Sequence, residues 1–344
     1  MSTQYLDDVP QGTSQPLTET NRVRRNDRKE VTYGPPTTTL QSLLRLSRAE
    51  GALALTVPAV CGAVLAWWEL GQFNIFLSLL TTITVFFLTT GINILADYQD
   101  YENRKTPEAK YFLTEPYHAG SNLLVEGLFR PSQAIQSSYA LIGIALACTI
   151  GLTVYSGWPV LFFVGLSIIL LCAFLTPPPY RGYLKWGIGE GSIFVGAGFL
   201  PLLYGFYVQS GTLTTLSLWL SIPFGLLSVL VVFAYSFVHQ RTDWIFGRRT
   251  LVVTLGEQRS MNLGMMLVLF TYLALLVIAV YTNITLWILL SLVGLPMAMN
   301  EFKQLYKLKI LTPNIRFHLY RTITKTTILT GSLLLLALWL DRVF

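Results

Sequence analysis

The sequence predicts an all-α polytopic membrane protein with nine transmembrane helices. Three observations carry that expectation. Apolar residues make up 53% of the 344-residue chain and charged residues only 12%. Uncharged runs of about twenty residues recur, the length an α-helix needs to cross ~30 Å of hydrocarbon. Lys and Arg alternate between loops, abundant in one and missing from the next. The short alternating segments of a β-barrel are absent.

Residues 1–36 stand apart as a polar, Thr- and Pro-rich stretch without an apolar run. Such a segment buries too little surface to offset its chain entropy, so a disordered cytoplasmic tail is expected, followed by a transmembrane domain over 37–344. No apolar core follows a basic start, which argues against a signal peptide. Its basic cluster, Arg22, Arg24, Arg25, Arg28 and Lys29, suits topology setting beside anionic lipid.

The spans are expected at about 51–69, 75–96, 134–155, 158–176, 187–208, 215–238, 262–281, 284–300 and 323–341. The tail and the lead-in to the first span hold seven Lys and Arg. The even-numbered loops with their flanks hold four, two, four and six, the odd loops hold none, and Arg342 alone follows the last span. By the positive-inside rule the N-terminus lies in the cytoplasm and the C-terminus outside, with any site opening to the cytoplasm. A bacterial inner membrane is the expected location. The net charge of +6 is spent on topology, so nucleic acid is not an expected partner. Cys61, Cys148 and Cys172 sit in apolar runs without a C-x-x-C pattern, and are expected to be buried thiols rather than disulfides or zinc ligands. No phosphate-binding loop, dinucleotide fingerprint or nucleophile elbow is present.

Chemistry concentrates where the second span ends. In NILADYQD, residues 93–100, Asn93, Asp97 and Asp100 continue to Arg104 with spacings of four, three and four. At 100° per residue these four fall within about 60° on one helical face. Interface charges alone need not share a face with an amide one turn deeper, and ionisable groups in membrane segments are functional candidates. A second cluster, VHQRTDWIFGRRTL, follows the sixth span and places His239 and Asp243 four residues apart, ahead of Gly247, Arg248 and Arg249. Mg²⁺ takes oxygen ligands, commonly one or two carboxylates plus substrate phosphates. Two acidic helix ends flanked by cations could therefore hold a diphosphate.

These features resemble the UbiA superfamily of intramembrane prenyltransferases, and within it the menaquinone-type branch. N-x-x-x-D-x-x-D after the second span and GRRTL after the sixth agree with its two motifs. HAGSNLLVEG (118–127), TPPPYRGYLKWGIGE (176–190) and the opening LSRAEGALAL are similar to its other segments. The resemblance spans roughly residues 40–344. It implies a helical bundle around a central cavity, Mg²⁺ as cofactor, and a prenyl diphosphate and an aromatic acceptor as partners, within a lipid bilayer. The reaction it implies is transfer of the prenyl group to 1,4-dihydroxy-2-naphthoate. Carried over by position, Asn93, Asp97, Asp100 and Asp243 are the metal-site candidates, and Asp97, Asp100, Asp243 and His239 the catalytic ones. Arg48, Asn93, Arg104, Tyr180, Lys185, Arg248 and Arg249 are candidates for the diphosphate.

Departures leave alternatives open. His239 stands where the family carries an acid, and imidazole suits hard Mg²⁺ poorly. It either adapts the site or marks a weakened, non-catalytic isoprenoid binder. Ubiquinone-, tocopherol- and chlorophyll-type acceptors also remain open. An ion-coupled transporter is the alternative of another class, although no inverted repeat is visible. Glu126 and Glu190 are expected to orient backbone amides, and the small residues of GIGEGSIFVGAG to permit close helix packing.

Overall fold

The computed structural model describes residues 39–103, 123–124, 127–175, 187–245, 247–282, 284–308 and 311–343. The tail 1–36, Arg104, His118, Glu126, Tyr180 and Lys185 lie outside these residues. Among the described residues every regular element is a helix. In chain order they are α1 (Thr39–Leu46), α2 (Ala49–Leu70), α3 (Ile75–Asn103), α4 (Pro131–Ser156), α5 (Pro159–Leu175), α6 (Ile188–Ser210), α7 (Thr215–Ile245), α8 (Leu251–Leu255), α9 (Glu257–Tyr281), α10 (Gly294–Tyr306) and α11 (Pro313–Val343).

Seven of these, α2, α3, α4, α6, α7, α9 and α11, are long and apolar enough to cross a membrane. Two of the nine expected spans, the fourth and the eighth, fall outside this set among the described residues. The fourth contains α5, 17 residues of which the last, Leu175, is also the last described residue before 187. The eighth begins as a 3₁₀ segment, Leu286–Val293, and becomes α-helical only at Gly294.

Helix ends follow local chemistry. Gly71 and Gly211 take left-handed conformations past the ends of α2 and α6 and return their N–H groups to Trp67 and Tyr207. Pro131 opens α4, where its missing N–H costs nothing. Exposed aromatics gather at the ends opposite the acidic motifs: Tyr155, Trp158, Trp219, Tyr281, Trp287 and Trp339. This is the aromatic belt of a membrane–water boundary.

Packing separates central helices from peripheral ones. Of the apolar window of α6, 72% is buried, against 22% for α4, whose outer face is left for lipid. α6 crosses α2 at a backbone-to-backbone approach. A Cβ on Gly62 would lie 2.0 Å from the Leu202 carbonyl oxygen, and one on Gly205 2.0 Å from that of Ala59. Gly198 likewise meets the Phe224 carbonyl of α7 at 2.4 Å, so the small residues of 187–198 do serve packing. A π-helical turn at Phe194–Phe199, which composition did not foreshadow, interrupts α6 at this crossing.

Three helices run past their apolar stretches. α3 continues to Asn103, α7 to Ile245, and α11 begins at Pro313, ten residues ahead of its expected start. Asp97, Asp100, His239 and Asp243 therefore stand on rigid helix rather than on loops. One cysteine departs from expectation: Cys61 is buried and Cys148 half-buried, but Cys172 is exposed. It sits on α5, which packs inward on α6 and shows its other face outward.

Candidate active site

The site forms where the ends of α2, α3 and α7 meet the segment after α7. Arg48 precedes α2 and holds a left-handed conformation, φ 52°, the one non-glycine residue with positive φ among the described residues. Such a backbone costs of order 1 kcal/mol and persists where surroundings enforce it. Here Asn93 supplies part of the enforcement. Its side-chain amide donates to the Ser47 carbonyl at 2.9 Å, fixing the turn that aims Arg48 inward. The amide nitrogen of this metal-ligand candidate thus faces backbone, and the structure gives Asn93 a positioning role.

Arg48 pairs through Nη2 with Asp97 and lays its guanidinium over the Tyr235 ring, 4.3 Å from the centroid. The other neighbours of that ring are His239, at 4.3 Å between centroids, and Tyr320, edge-on at 5.0 Å. Arg248 joins the two acidic motifs. Its Nη1 lies 3.3 Å from Asp243 Oδ1 and its Nη2 3.7 Å from Asp100 Oδ1. Asp97, Asp100, Asp243 and His239 are all buried. Asp97 and Asp100 are therefore interior groups, not charges marking the water boundary.

Burial works against charge on both arginines. For Arg48 the desolvation is more than offset by Asp97, with help from Asp100, and its pKa is raised. For Arg248 the same outcome follows from Asp100 and then Asp243, against repulsion from Arg48. Both guanidinium groups stay ionised, and the carboxyl groups of Asp97, Asp100 and Asp243 face them.

The arginines are not saturated. Arg48 Nε and Arg248 Nε and Nη2 are buried and find no hydrogen-bond partner among the described residues. Buried cationic donors left unfilled are costly, and anionic oxygens would satisfy them. Among the described residues no group of three His, Cys, Asp or Glu stands close enough to hold a metal ion. Mg²⁺ needs no such cage when phosphate oxygens complete its shell, so the carboxylates fit a metal that arrives with a diphosphate.

Deeper in the bundle, about 12 Å along α3 from Asp97 at 1.5 Å per residue, Thr89 marks the start of a narrow cavity. Leu55, Leu88, Phe163, Gly196 and Tyr204 are among its lining.

The model of the UbiA prenyltransferase family matches residues 55–323 of the chain. The chain belongs to the UbiA prenyltransferase family. A 1,4-dihydroxy-2-naphthoate octaprenyltransferase of Escherichia coli (strain K12) is 26% identical over 284 residues, covering 82% of this chain and 90% of the relative. An enzyme of the same name from Bacillus subtilis (strain 168) is 25% identical over 228 residues, 65% and 68% of the two chains. Among solved structures, a UbiA homologue from Archaeoglobus fulgidus bound to GPP and Mg²⁺ superposes with a TM-score of 0.55. It is 14% identical and spans 85% of this chain and 99% of its own, a likeness of fold.

Within this UbiA-family bundle the expected residues separate. Arg48, Asp97, Asp100, His239, Asp243 and Arg248 come together. Arg249 does not join Arg248 and is exposed, because Gly247, at φ 72°, reverses the chain just ahead of them. Tyr235 was missed, although it precedes His239 and Asp243 at steps of four and so shares their helical stripe. Tyr320 had no sequence signal. His318 is exposed and lies 2.8 Å from the buried Glu301 carboxyl group.

Proposed function

We propose that this membrane prenyltransferase moves a polyprenyl group from a prenyl diphosphate to an aromatic acceptor, 1,4-dihydroxy-2-naphthoate, with Mg²⁺ as cofactor. The observation that carries the reading is the pair of arginines with unfilled N–H groups set among three buried carboxylates of the two motifs. The acceptor rests on the naphthoate prenyltransferases among the relatives.

Arg48 and Arg248 bind the diphosphate and take up charge as its oxygen leaves the allylic carbon with the bonding pair. Asp97, Asp100 and Asp243 are the groups that hold Mg²⁺, which when bound neutralises the diphosphate. Apolar side chains such as Leu55, Leu88 and Phe163, which line the narrow crevice beyond the site, would flank the prenyl chain and keep water from the allylic carbon. Ring attack forms the new carbon–carbon bond, and the acceptor carboxylate leaves as carbon dioxide, returning its electron pair to the ring. His239 acts through Tyr235 and the Arg48 resting on it, with an imidazole standing where the family carries an acid. In this reading α5 and the segment 286–306 complete nine crossings of a bacterial inner membrane. The N-terminus and the site face the cytoplasm and the C-terminus faces outside.

The test is direct. Purified protein with Mg²⁺, labelled prenyl diphosphate and a panel of hydroxy-aromatic acids should yield prenylated naphthoquinol with release of diphosphate. Absence of product from every acceptor would overturn the reading, and product from another acid would reassign the substrate.

A further inference from the structure

We infer that Glu190 is a positioning residue for Arg248, acting through one hydrogen bond to the backbone of Leu251. The inference rests on the proposed role of Arg248 in holding the diphosphate.

Glu190 lies in the first turn of α6 and is only 4% exposed. Burying a carboxylate costs several kcal/mol unless a partner is gained. The partner found is the Leu251 N–H, which donates to Glu190 Oε1 at 2.7 Å across 61 residues of sequence. Leu251 is the first residue of α8, where N–H groups lack helical acceptors. Thr250 fills another of these by accepting from Val253 N at 3.4 Å.

The geometry makes this bond more than a helix cap. Gly247–Thr250 has no regular structure of its own and carries Arg248 into the site. Its leading end is fixed by Arg248 N, which donates to the Asp243 carbonyl at 2.7 Å. Its trailing end is fixed by Glu190. The guanidinium reaching both Asp100 and Asp243 therefore hangs on a span clamped at two points. The Glu190 carboxyl oxygen on α6, accepting the Leu251 N–H, sets the second clamp.

The full-length protein in detergent, titrated with inorganic pyrophosphate at fixed Mg²⁺ and followed by thermal shift, reads the grip of Arg248 without turnover. Glu190→Ala should weaken pyrophosphate binding about tenfold and lower kcat/KM for prenyl diphosphate by at least as much, since Arg248 acts on both the bound diphosphate and the leaving oxygen. Glu190→Gln should restore both, because its side-chain carbonyl accepts the same N–H. Leu251→Pro removes the donor, together with the leucine side chain, at a first helical position that tolerates proline. It should match Glu190→Ala and keep the test informative should that variant fail to fold. Adding Glu190→Ala to Arg248→Ala should weaken binding no further, as expected for coupled residues. A Glu190→Ala protein with a lowered melting temperature but wild-type pyrophosphate affinity would reduce Glu190 to a helix cap and overturn the inference. An unchanged affinity in Arg248→Ala would instead remove the proposed diphosphate role, and the inference with it.

Discussion

Arg48 and Asp97, 49 positions apart, form an ion pair in which the carboxylate is almost wholly buried and the guanidinium also covers Tyr235. One side chain thus satisfies the first acidic motif and touches the helix of the second. A diphosphate entering the site would meet that guanidinium already charged and aimed.

Asp97→Asn should lower turnover by about 10²–10³-fold, the usual loss when charge stabilisation of a leaving oxygen is removed. Steady-state product formation with a labelled prenyl diphosphate measures it. Turnover like that of the unmodified protein would remove the metal role assigned to Asp97.

Arg48→Ala leaves Asp97 buried without its cation and should destabilise the protein by about 3 kcal/mol, as breaking a buried pair does. Arg48→Lys should recover most of that stability yet still bind prenyl diphosphate about tenfold more weakly. A compact ammonium cannot pair bidentately or cover the Tyr235 face. Melting temperature and KM, measured on both variants, separate the two effects.

The raised guanidinium pKa values give a pH prediction. A raised folded value means the stabilisation is fully present below the ordinary arginine range and is lost only as pH rises through the folded value. The Arg48 and Arg248 contribution should hold constant between about pH 6.5 and 9. Equal destabilisation by Arg48→Ala at both ends of that interval would show it.

His239→Asp places a fourth carboxylate among two arginines, in a buried position against Tyr235. Without metal the variant should melt lower than the parent, since unpaired buried charge is costly. Millimolar Mg²⁺ should return more stability to it than to the parent. Melts with EDTA and with Mg²⁺ decide this, and an equal response of the two proteins would show that position 239 lies outside the reach of the metal.

Gly205→Ala would force a Cβ to 2.0 Å from the Ala59 carbonyl, with backbone rather than a flexible side chain in the way. A loss of about 3 kcal/mol is expected, at the upper end of overpacking effects. Gly143→Ala on α4, with open space around it, should be neutral or stabilise by up to about 1 kcal/mol. Thermal melts in one detergent compare the pair.

Membrane class, the two acidic motifs and family membership were legible because they are local. Twenty apolar residues announce a helix, and spacings of four and three announce one face. The helical form of the eighth span was not legible, because hydropathy cannot see that 286–293 winds as a 3₁₀ helix. Nor could it see Cys172 exposed, since lipid and protein interior are equally apolar.

By itself the sequence determined that Asp97, Asp100 and Asp243 sit on helix ends with cations nearby. Among the described residues, tertiary structure alone decided which cations gather at the acidic motifs: Arg48 and Arg248 do, while Arg249 stays exposed. It also set Asn93 and Glu190 as tethers of backbone, and Tyr235 as the surface between Arg48 and His239. The reason is physical. Side-chain type and helical period are carried by neighbours in sequence, whereas pairing of buried charges depends on which helix ends the packing brings within a few ångströms.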